Sequence, residues 1–129
     1  MAMKQKVLIV DDEPSNIRAL TDILGTDYKL FAVTNGPDAI EAAQAHSPDI
    51  ILLDVVMPEM DGYAVIAALK SSEKTKNIPV IFLTAKADPE NESRGLELGA
   101  EDYVFKPFSR SLLLKRLKMH LLLGAKDKS

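Results

Sequence analysis

Five side chains that can do chemistry stand at the ends of short apolar runs. Three are carboxylates, one is a hydroxyl and one is an ammonium group: Asp11, Asp12, Asp54, Thr84 and Lys106. Carboxylates a few ångströms apart repel one another by about 1–4 kcal/mol per pair, and the single lysine offsets only part of that charge. Mg²⁺, a divalent cation that prefers oxygen ligands, would offset the rest. The residue types therefore predict a magnesium site.

Such a site, once nearly neutral, can accept a phosphoryl group. Asp54 stands alone at the end of its run, so it is the candidate nucleophile that would form an acyl phosphate. Asp11 and Asp12 would hold the cation. Phosphoryl transfer chiefly needs positioning and charge neutralisation, and Lys106 and Thr84 would contact the phosphoryl oxygens.

These residues meet only if the apolar runs are neighbouring parallel strands. The continuous runs predict five strands, at 7–10, 28–33, 50–53, 80–83 and 102–105. Helical spacing, with proline and glycine at the ends, predicts five helices, at 14–24, 38–46, 63–70, 89–98 and 109–123. Asn35-Gly36-Pro37 is predicted as a turn, and Asp88 as the cap of the fourth helix. Strict alternation indicates an α/β fold with a parallel sheet and helices on both faces, which gathers the strand ends at one edge.

Composition narrows the class of protein. The 129 residues predict a single domain, with a core at about 4–123 and a frayed polar tail at 124–129. A net charge of −3 argues against nucleic-acid binding by this segment, and the lack of cysteine excludes disulfides and thiolate metal sites. No apolar run reaches the roughly 20 residues that cross a bilayer, and the first residues do not form a signal peptide. We therefore expect a cytoplasmic protein that does not bind membranes.

Residues from about Lys4 to Leu123 resemble the receiver domain of two-component response regulators. Four segments carry the resemblance: Val7-Leu-Ile-Val-Asp-Asp-Glu-Pro14, Pro48-Asp-Ile-Ile-Leu-Leu-Asp-Val-Val-Met-Pro-Glu-Met-Asp-Gly62, Pro79-Val-Ile-Phe-Leu-Thr-Ala85 and Gly99-Ala-Glu-Asp-Tyr-Val-Phe-Lys-Pro-Phe108. The resemblance implies a flavodoxin-like sheet with strand order 2-1-3-4-5. It also implies that the protein is a phosphoacceptor rather than an enzyme. As a phosphoacceptor it would take phosphate from a histidine kinase or a phosphotransfer protein.

The resemblance also assigns roles residue by residue. It implies Asp54 as the phosphoacceptor, Thr84 and Lys106 as the pair that contacts the phosphoryl group, and a cis bond between Lys106 and Pro107. Tyr103 matches the aromatic residue that rotates when the domain is phosphorylated. The implied Mg²⁺ ligands are the side chains of Asp11, Asp12 and Asp54 and the main-chain carbonyl of Val56.

Phosphorylation is then expected to act as a switch. Thr84 would be drawn toward the phosphoryl oxygens, and Tyr103 would turn inward and change the face formed by the fourth helix, the fifth strand and the fifth helix. The last helix has more leucines than one buried stripe needs, because Leu112, Leu122 and Leu123 fall away from the stripe. This surplus predicts a partner, either a second receiver in a phosphorylation-linked homodimer or an attached output domain.

Three other classes of protein remain as alternatives. A Mg²⁺-dependent aspartyl-phosphate hydrolase of small substrates, similar to the haloacid dehalogenase group, would carry a second aspartate two residues after the nucleophile, where this chain has Val56. A dinucleotide- or flavin-binding module would need a glycine-rich first turn, and Asp11-Asp12-Glu13 occupies that turn. A purely structural interaction domain would not need the acid, threonine and lysine set.

Overall fold

The computed structural model describes residues 4–84 and 89–127, with the side chains of all of these except 89–91 and 124–127. The strands are β1 (Lys6–Val10), β2 (Lys29–Val33), β3 (Ile50–Asp54), β4 (Val80–Thr84) and β5 (Asp102–Phe105). The helices are α1 (Pro14–Leu24), α2 (Gly36–His46), α3 (Gly62–Lys70), α4 (Pro89–Glu97) and α5 (Arg110–Asp127). The strands form one parallel sheet in the order β2-β1-β3-β4-β5, which confirms the predicted strand order.

Two apolar layers cover the sheet, which explains why its strands are continuous apolar runs rather than alternating ones. On one face Leu8 and Ile51 pack against α2 and α3, and on the other Val7 and Ile50 pack against α1 and α5. Successive strand residues point to opposite faces of the sheet. Because both faces are covered, the residues on each face need apolar side chains. α4 lies on the same face as α2 and α3, because its Gly95 lies close to Phe82 and Tyr103 of that layer.

The predicted turn at Asn35-Gly36-Pro37 is wrong in detail, because Gly36 and Pro37 already belong to α2. Asn35 is the N-cap of this helix: its Oδ1 accepts a hydrogen bond of 2.9 Å from the backbone N–H of Asp38. Its Nδ2 also donates to the Asp38 carboxylate at 2.9 Å. Proline fits the first helical turn, where its missing N–H needs no partner. The same three residues therefore begin a helix here.

The last helix differs at its end, because the backbone remains helical through Asp127 where the sequence predicted an end at Leu123 and a frayed tail. Gly124 within a helix costs about 1 kcal/mol relative to alanine and does not by itself end one. Asp54 and Thr84 are the last residues of β3 and β4 rather than the residues that follow them. The predicted cap Asp88 lies outside the described residues.

Within the described ranges, no helix combines the length and the apolar character that a membrane span requires.

Substitution of Asn35 tests whether this residue is the N-cap of α2. We expect Asn35→Ala to lower the free energy of unfolding by about 1 kcal/mol, because two N-terminal contacts of the helix are lost. Asn77→Ala is the matched control, since Asn77 is exposed in a turn, and it should change stability by less than about 0.5 kcal/mol. Urea unfolding followed by circular dichroism measures both variants. Equal effects would show that Asn35 does not cap the helix.

Candidate functional site

The carboxyl ends of β1, β3, β4 and β5 bring the predicted residues to one edge of the sheet. Asp54 ends β3 beside Leu83 of β4, and Thr84 ends β4 beside Phe105 of β5. Asp11 directly follows β1, and β1 pairs with β3 along the edge of β3 that faces away from β4. Lys106 follows β5, and its backbone N–H donates to the carbonyl of Thr84 at 2.7 Å. The register of the strands thus places each residue.

Lys106 lies between two buried carboxylates. Its Nζ is 3.2 Å from Oδ2 of Asp11 and 3.4 Å from Oδ1 of Asp54. Asp11 is fully buried and Asp54 is 4% exposed, so water contributes little to solvating either charge. Partial burial of the lysine itself, whose side chain is 16% exposed, strengthens the attraction. One ammonium group therefore holds two carboxylates that would otherwise repel each other.

Burial and the neighbouring charges shift the pKa values of Asp54 and Lys106. Burial, followed by the charge of Asp11, raises the pKa of Asp54 to about 7, although Lys106 and the Val56 N–H act in the opposite direction. Burial by itself would lower the pKa of Lys106, but the charges of Asp54 and Asp11 outweigh it and raise that pKa. The site thus carries more negative charge than one lysine neutralises, as the sequence predicted.

The oxygen atoms of this edge fit a hard divalent cation. One carboxylate oxygen from each of Asp11, Asp12 and Asp54 lies within 4.8 Å of the others. Oδ1 of Asp11 accepts a hydrogen bond from the Glu13 N–H at 3.0 Å. Its buried Oδ2 accepts none from any described residue and meets only the Lys106 charge. A buried carboxylate oxygen of this kind can coordinate a metal ion. The three carboxylates therefore fit Mg²⁺.

An open cavity of about 510 Å³ gives access to Asp54. Its walls are formed by Asp12, Glu13, Asp54, Val56, Met57, Pro58 and Lys106. Val56 is 76% exposed, and its backbone N–H donates to Oδ1 of Asp54 at 3.3 Å. α3 begins so close to β3 that a Cβ on Gly62 would lie 2.5 Å from the backbone carbonyl oxygen of Asp54. Glycine at this position therefore lets the helix begin beside the end of β3.

The structure thus brings Asp11, Asp12, Asp54 and Lys106 together, with Val56 at the mouth and Thr84 on the neighbouring strand end. Tyr103 lies elsewhere: it is 8% exposed and packs in the core beneath α4. The Lys106–Pro107 peptide bond is cis, as the resemblance implied.

Two groups of residues were missed by the sequence reasoning. Tyr63 and Gly95 contact Tyr103, and Arg94 lies over the ring of Tyr63. Arg116 and His120 of α5 both contact the carboxylate of Asp102. The spacing of Arg116 and His120, four residues apart, was the available signal for the second group. For the first group no sequence spacing gives the contact, because its members lie on α3 and α4 and Tyr103 lies on β5.

Comparison with known proteins identifies the family. The profile of the response regulator receiver domain matches residues 7–118. The chain belongs to this family. The receiver domain is 50% identical over 115 residues to a Vibrio cholerae protein named "Probable cyclic di-GMP phosphodiesterase", which covers 89% of the chain and 26% of that relative. The chain spans between 26% and 51% of the length of the curated relatives it matches.

Solved structures show the same architecture. The chemotaxis protein CheY4 of Vibrio cholerae has a TM-score of 0.86 at 32% identity, with 91% of this receiver domain and 98% of that chain covered. The receiver domain of the sensor histidine kinase PA1611 from Pseudomonas aeruginosa has a TM-score of 0.85 at 31% identity, with 92% and 98% covered. That structure holds a magnesium ion coordinated in its active-site cleft.

The raised pKa of Asp54 predicts a specific dependence of stability on pH. The carboxyl keeps its proton up to about pH 7 when folded but loses it near 3.8 when unfolded. Stability should therefore fall as pH rises between these values. In a metal-chelating buffer we expect Asp54→Asn to remove this fall, so that at about pH 8 the variant is more stable than the parent by about 4 kcal/mol.

Urea unfolding at several pH values measures the difference between Asp54→Asn and the parent. Asp22→Asn, on the exposed side of α1, is the matched control, and its difference from the parent should not vary with pH. A pH-independent difference for Asp54→Asn, or one that grows toward acid, would contradict the raised pKa.

Proposed function

We propose that this receiver domain is a phosphorylation switch that accepts a phosphoryl group on Asp54 in a Mg²⁺-dependent reaction. The donor is the phosphohistidine of a histidine kinase or a phosphotransfer protein. The observation that supports this best is the position of Lys106, within 3.4 Å of Asp54 and 3.2 Å of Asp11 at the mouth of an open cavity. That arrangement presents a carboxylate with a cation already beside it.

The transfer exchanges one bond for another at phosphorus. A carboxylate oxygen of Asp54 forms a bond to phosphorus as the P–N bond of the donor breaks, and the bonding electrons leave with the imidazole. The product is an acyl phosphate on Asp54. Ionised Asp54 needs no general base, since the carboxylate itself carries the attacking electron pair.

Mg²⁺ would be held by the carboxylates of Asp11, Asp12 and Asp54 and by the main-chain carbonyl of Val56. The bound ion supplies charge neutralisation on the transferring phosphoryl oxygens. The buried Oδ2 of Asp11, whose contact among the described residues is the Lys106 charge at 3.2 Å, supports this assignment, as does the ion in the cleft of the related PA1611 receiver domain. Lys106 stabilises negative charge on a phosphoryl oxygen, and the Thr84 hydroxyl donates to another.

The phosphoryl group then acts on Tyr103 through Thr84. β4 carries Thr84 and, two residues earlier and hence on the same face of the sheet, Phe82, whose ring packs against Tyr103. Movement of Thr84 toward the phosphoryl oxygens changes the packing at this face and thereby the surface of α4, β5 and α5.

The domain works in the cytoplasm, as predicted from the sequence.

A partner binds through the last helix. Leu112, Met119 and Leu123 are between 42% and 50% exposed. They lie at helical spacing beside Arg116 and His120, which face β5. Leu122 is 61% exposed and follows Met119 by three residues, so it adjoins the same surface. Because the chain spans only part of the curated relatives, we propose that this surface contacts a second receiver domain or an output domain of the same protein.

Phosphorylation of the chain by acetyl phosphate tests the proposed function. We expect one phosphoryl group per molecule in the presence of Mg²⁺, none with a chelator and none for Asp54→Ala, as measured by intact mass. Lys106→Met should slow the transfer about 100-fold, because it removes the charge that stabilises the phosphoryl oxygens. Asp22→Asn and Lys74→Met, both at exposed positions, are matched controls and should behave like the parent.

Two outcomes of this experiment would contradict the proposal. The first is a parent protein that gains no mass, or gains it equally in Asp54→Ala. The second is repeated Mg²⁺-dependent turnover of small phosphate esters, which would favour the alternative of a phosphohydrolase.

The partner surface makes a separate prediction about association. If it binds a second receiver, Leu123→Lys should raise the dissociation constant of the phosphorylated dimer about tenfold or more, because a charge replaces a contact side chain. Glu41→Lys, at an exposed position of α2, is the control for the added positive charge. Sedimentation velocity with and without acetyl phosphate measures both variants. No effect of Leu123→Lys, or an equal effect of Glu41→Lys, would contradict this interface.

A further inference from the structure

Three aromatic rings form a cluster beneath α4, outside the phosphoacceptor site. Phe82 of β4 lies between Tyr63 of α3 and Tyr103 of β5, with both ring centroids 5.4 Å from its own. Phe82 is fully buried, and the two tyrosines are 6% and 8% exposed. These distances and tilted angles are those of favourable aromatic pairs. The cluster therefore joins α3, β4 and β5 in one packed unit.

The hydroxyl groups of the two tyrosines meet within this cluster. Tyr103 is hydrogen-bonded to Tyr63, and burial, followed by this neighbour and by Glu92, raises the pKa of Tyr103. A buried hydroxyl without a partner costs free energy, so Tyr63 stabilises the inward position of the Tyr103 ring.

Gly95 of α4 leaves the space that the inward ring fills. A Cβ built on Gly95 would lie 1.9 Å from the Tyr103 hydroxyl oxygen and 2.8 Å from Cε2 of Phe82. No side chain larger than hydrogen fits there while Tyr103 points inward. The Gly95 backbone also hydrogen-bonds the Tyr103 hydroxyl, an interaction that lowers the pKa of Tyr103 against the larger effects above. The neighbouring Arg94 covers Tyr63, with its Cζ 4.5 Å from the ring centroid.

We infer that Tyr63 and Gly95 are positioning residues for Tyr103: they hold its ring inward before the domain is phosphorylated. Tyr63 supplies a hydrogen-bond partner and Gly95 supplies the space. In this receiver domain the inward ring is therefore the resting state rather than a product of phosphorylation, and the contacts that fix it also attach α4 to α3. The inference rests on the proposed function only in taking Tyr103 as the switch residue.

Tyrosine ionisation in the unphosphorylated, metal-free protein tests this inference. The chain has three tyrosines, so ¹³C labelling at the ring Cζ gives three signals that can be followed against pH. In the parent we expect Tyr103 to titrate above the ordinary value of 10.0 and to show nuclear Overhauser contacts to Gly95 and Tyr63. Tyr63→Phe keeps the ring and removes the hydroxyl partner, and it should shift the ionisation equilibrium of Tyr103 about tenfold toward the phenolate.

Gly95→Ala should have the larger effect, because the added methyl group occupies the position of the hydroxyl. We expect the Tyr103 contacts to Tyr63 to disappear and its titration to move toward 10.0. Tyr28→Phe and Ser93→Ala are matched controls, the first at the start of β2 and the second at an exposed position of α4, and both should leave the Tyr103 titration unchanged. Tyr63→Phe keeps the test valid if Gly95→Ala does not fold.

The inference is overturned if Tyr103 titrates as an exposed tyrosine in the parent. It is also overturned if Tyr63→Phe, folded as judged by circular dichroism, leaves that titration and the Gly95 contacts unchanged. Neither measurement involves phosphate or Mg²⁺. A parent that fails to accept phosphate on Asp54 would therefore refute the proposed function and leave the positions of these tyrosines as measured.

Discussion

The ammonium group of Lys106 neutralises charge at the point where four strands end. Asp11 and Asp54 are both buried, and their mutual repulsion would favour separation of β1 and β3 at this edge if no cation lay between them. Lys106 reaches both carboxylates because the last residue of β5, Phe105, pairs with Thr84 at the end of β4, and Lys106 is the next residue along the chain. The strand order thus determines the chemistry: a lysine at the end of a distant strand would leave Asp54 protonated at neutral pH.

β4 connects this charged edge to the aromatic cluster on one face of the sheet. Thr84 and Phe82 share that face because they are two residues apart, and Phe82 contacts both Tyr63 and Tyr103. α4 has little apolar surface of its own, and Leu96 is 51% exposed. Its attachment depends on the close approach of Gly95 to the rings and on the contact between Arg94 and Tyr63. Among the side chains of α4 that the structure describes, those of residues 92–97, these contacts are the ones that attach the helix to the sheet.

The sequence predicted what depends on single residues and their order along the chain. The apolar runs were continuous because both faces of the sheet are covered, so the strands and their acidic ends could be read directly. Asn35 was interpreted as part of a turn because an asparagine before Gly-Pro suits a turn and a helix cap equally. The contacts of Tyr63 with Tyr103 and of Asp102 with α5 join residues distant in sequence. Only side-chain packing determines such contacts.

β5 is four residues long, and its first three side chains go to three different places. Asp102 contacts Arg116 and His120, Tyr103 enters the aromatic cluster on the opposite face, and Val104 packs with the layer formed by α1 and α5. One peptide unit separates the carboxylate that anchors the last helix from the ring beneath the fourth. A displacement of the last helix that pulls on Asp102 would therefore act on the Tyr103 ring across a single peptide bond.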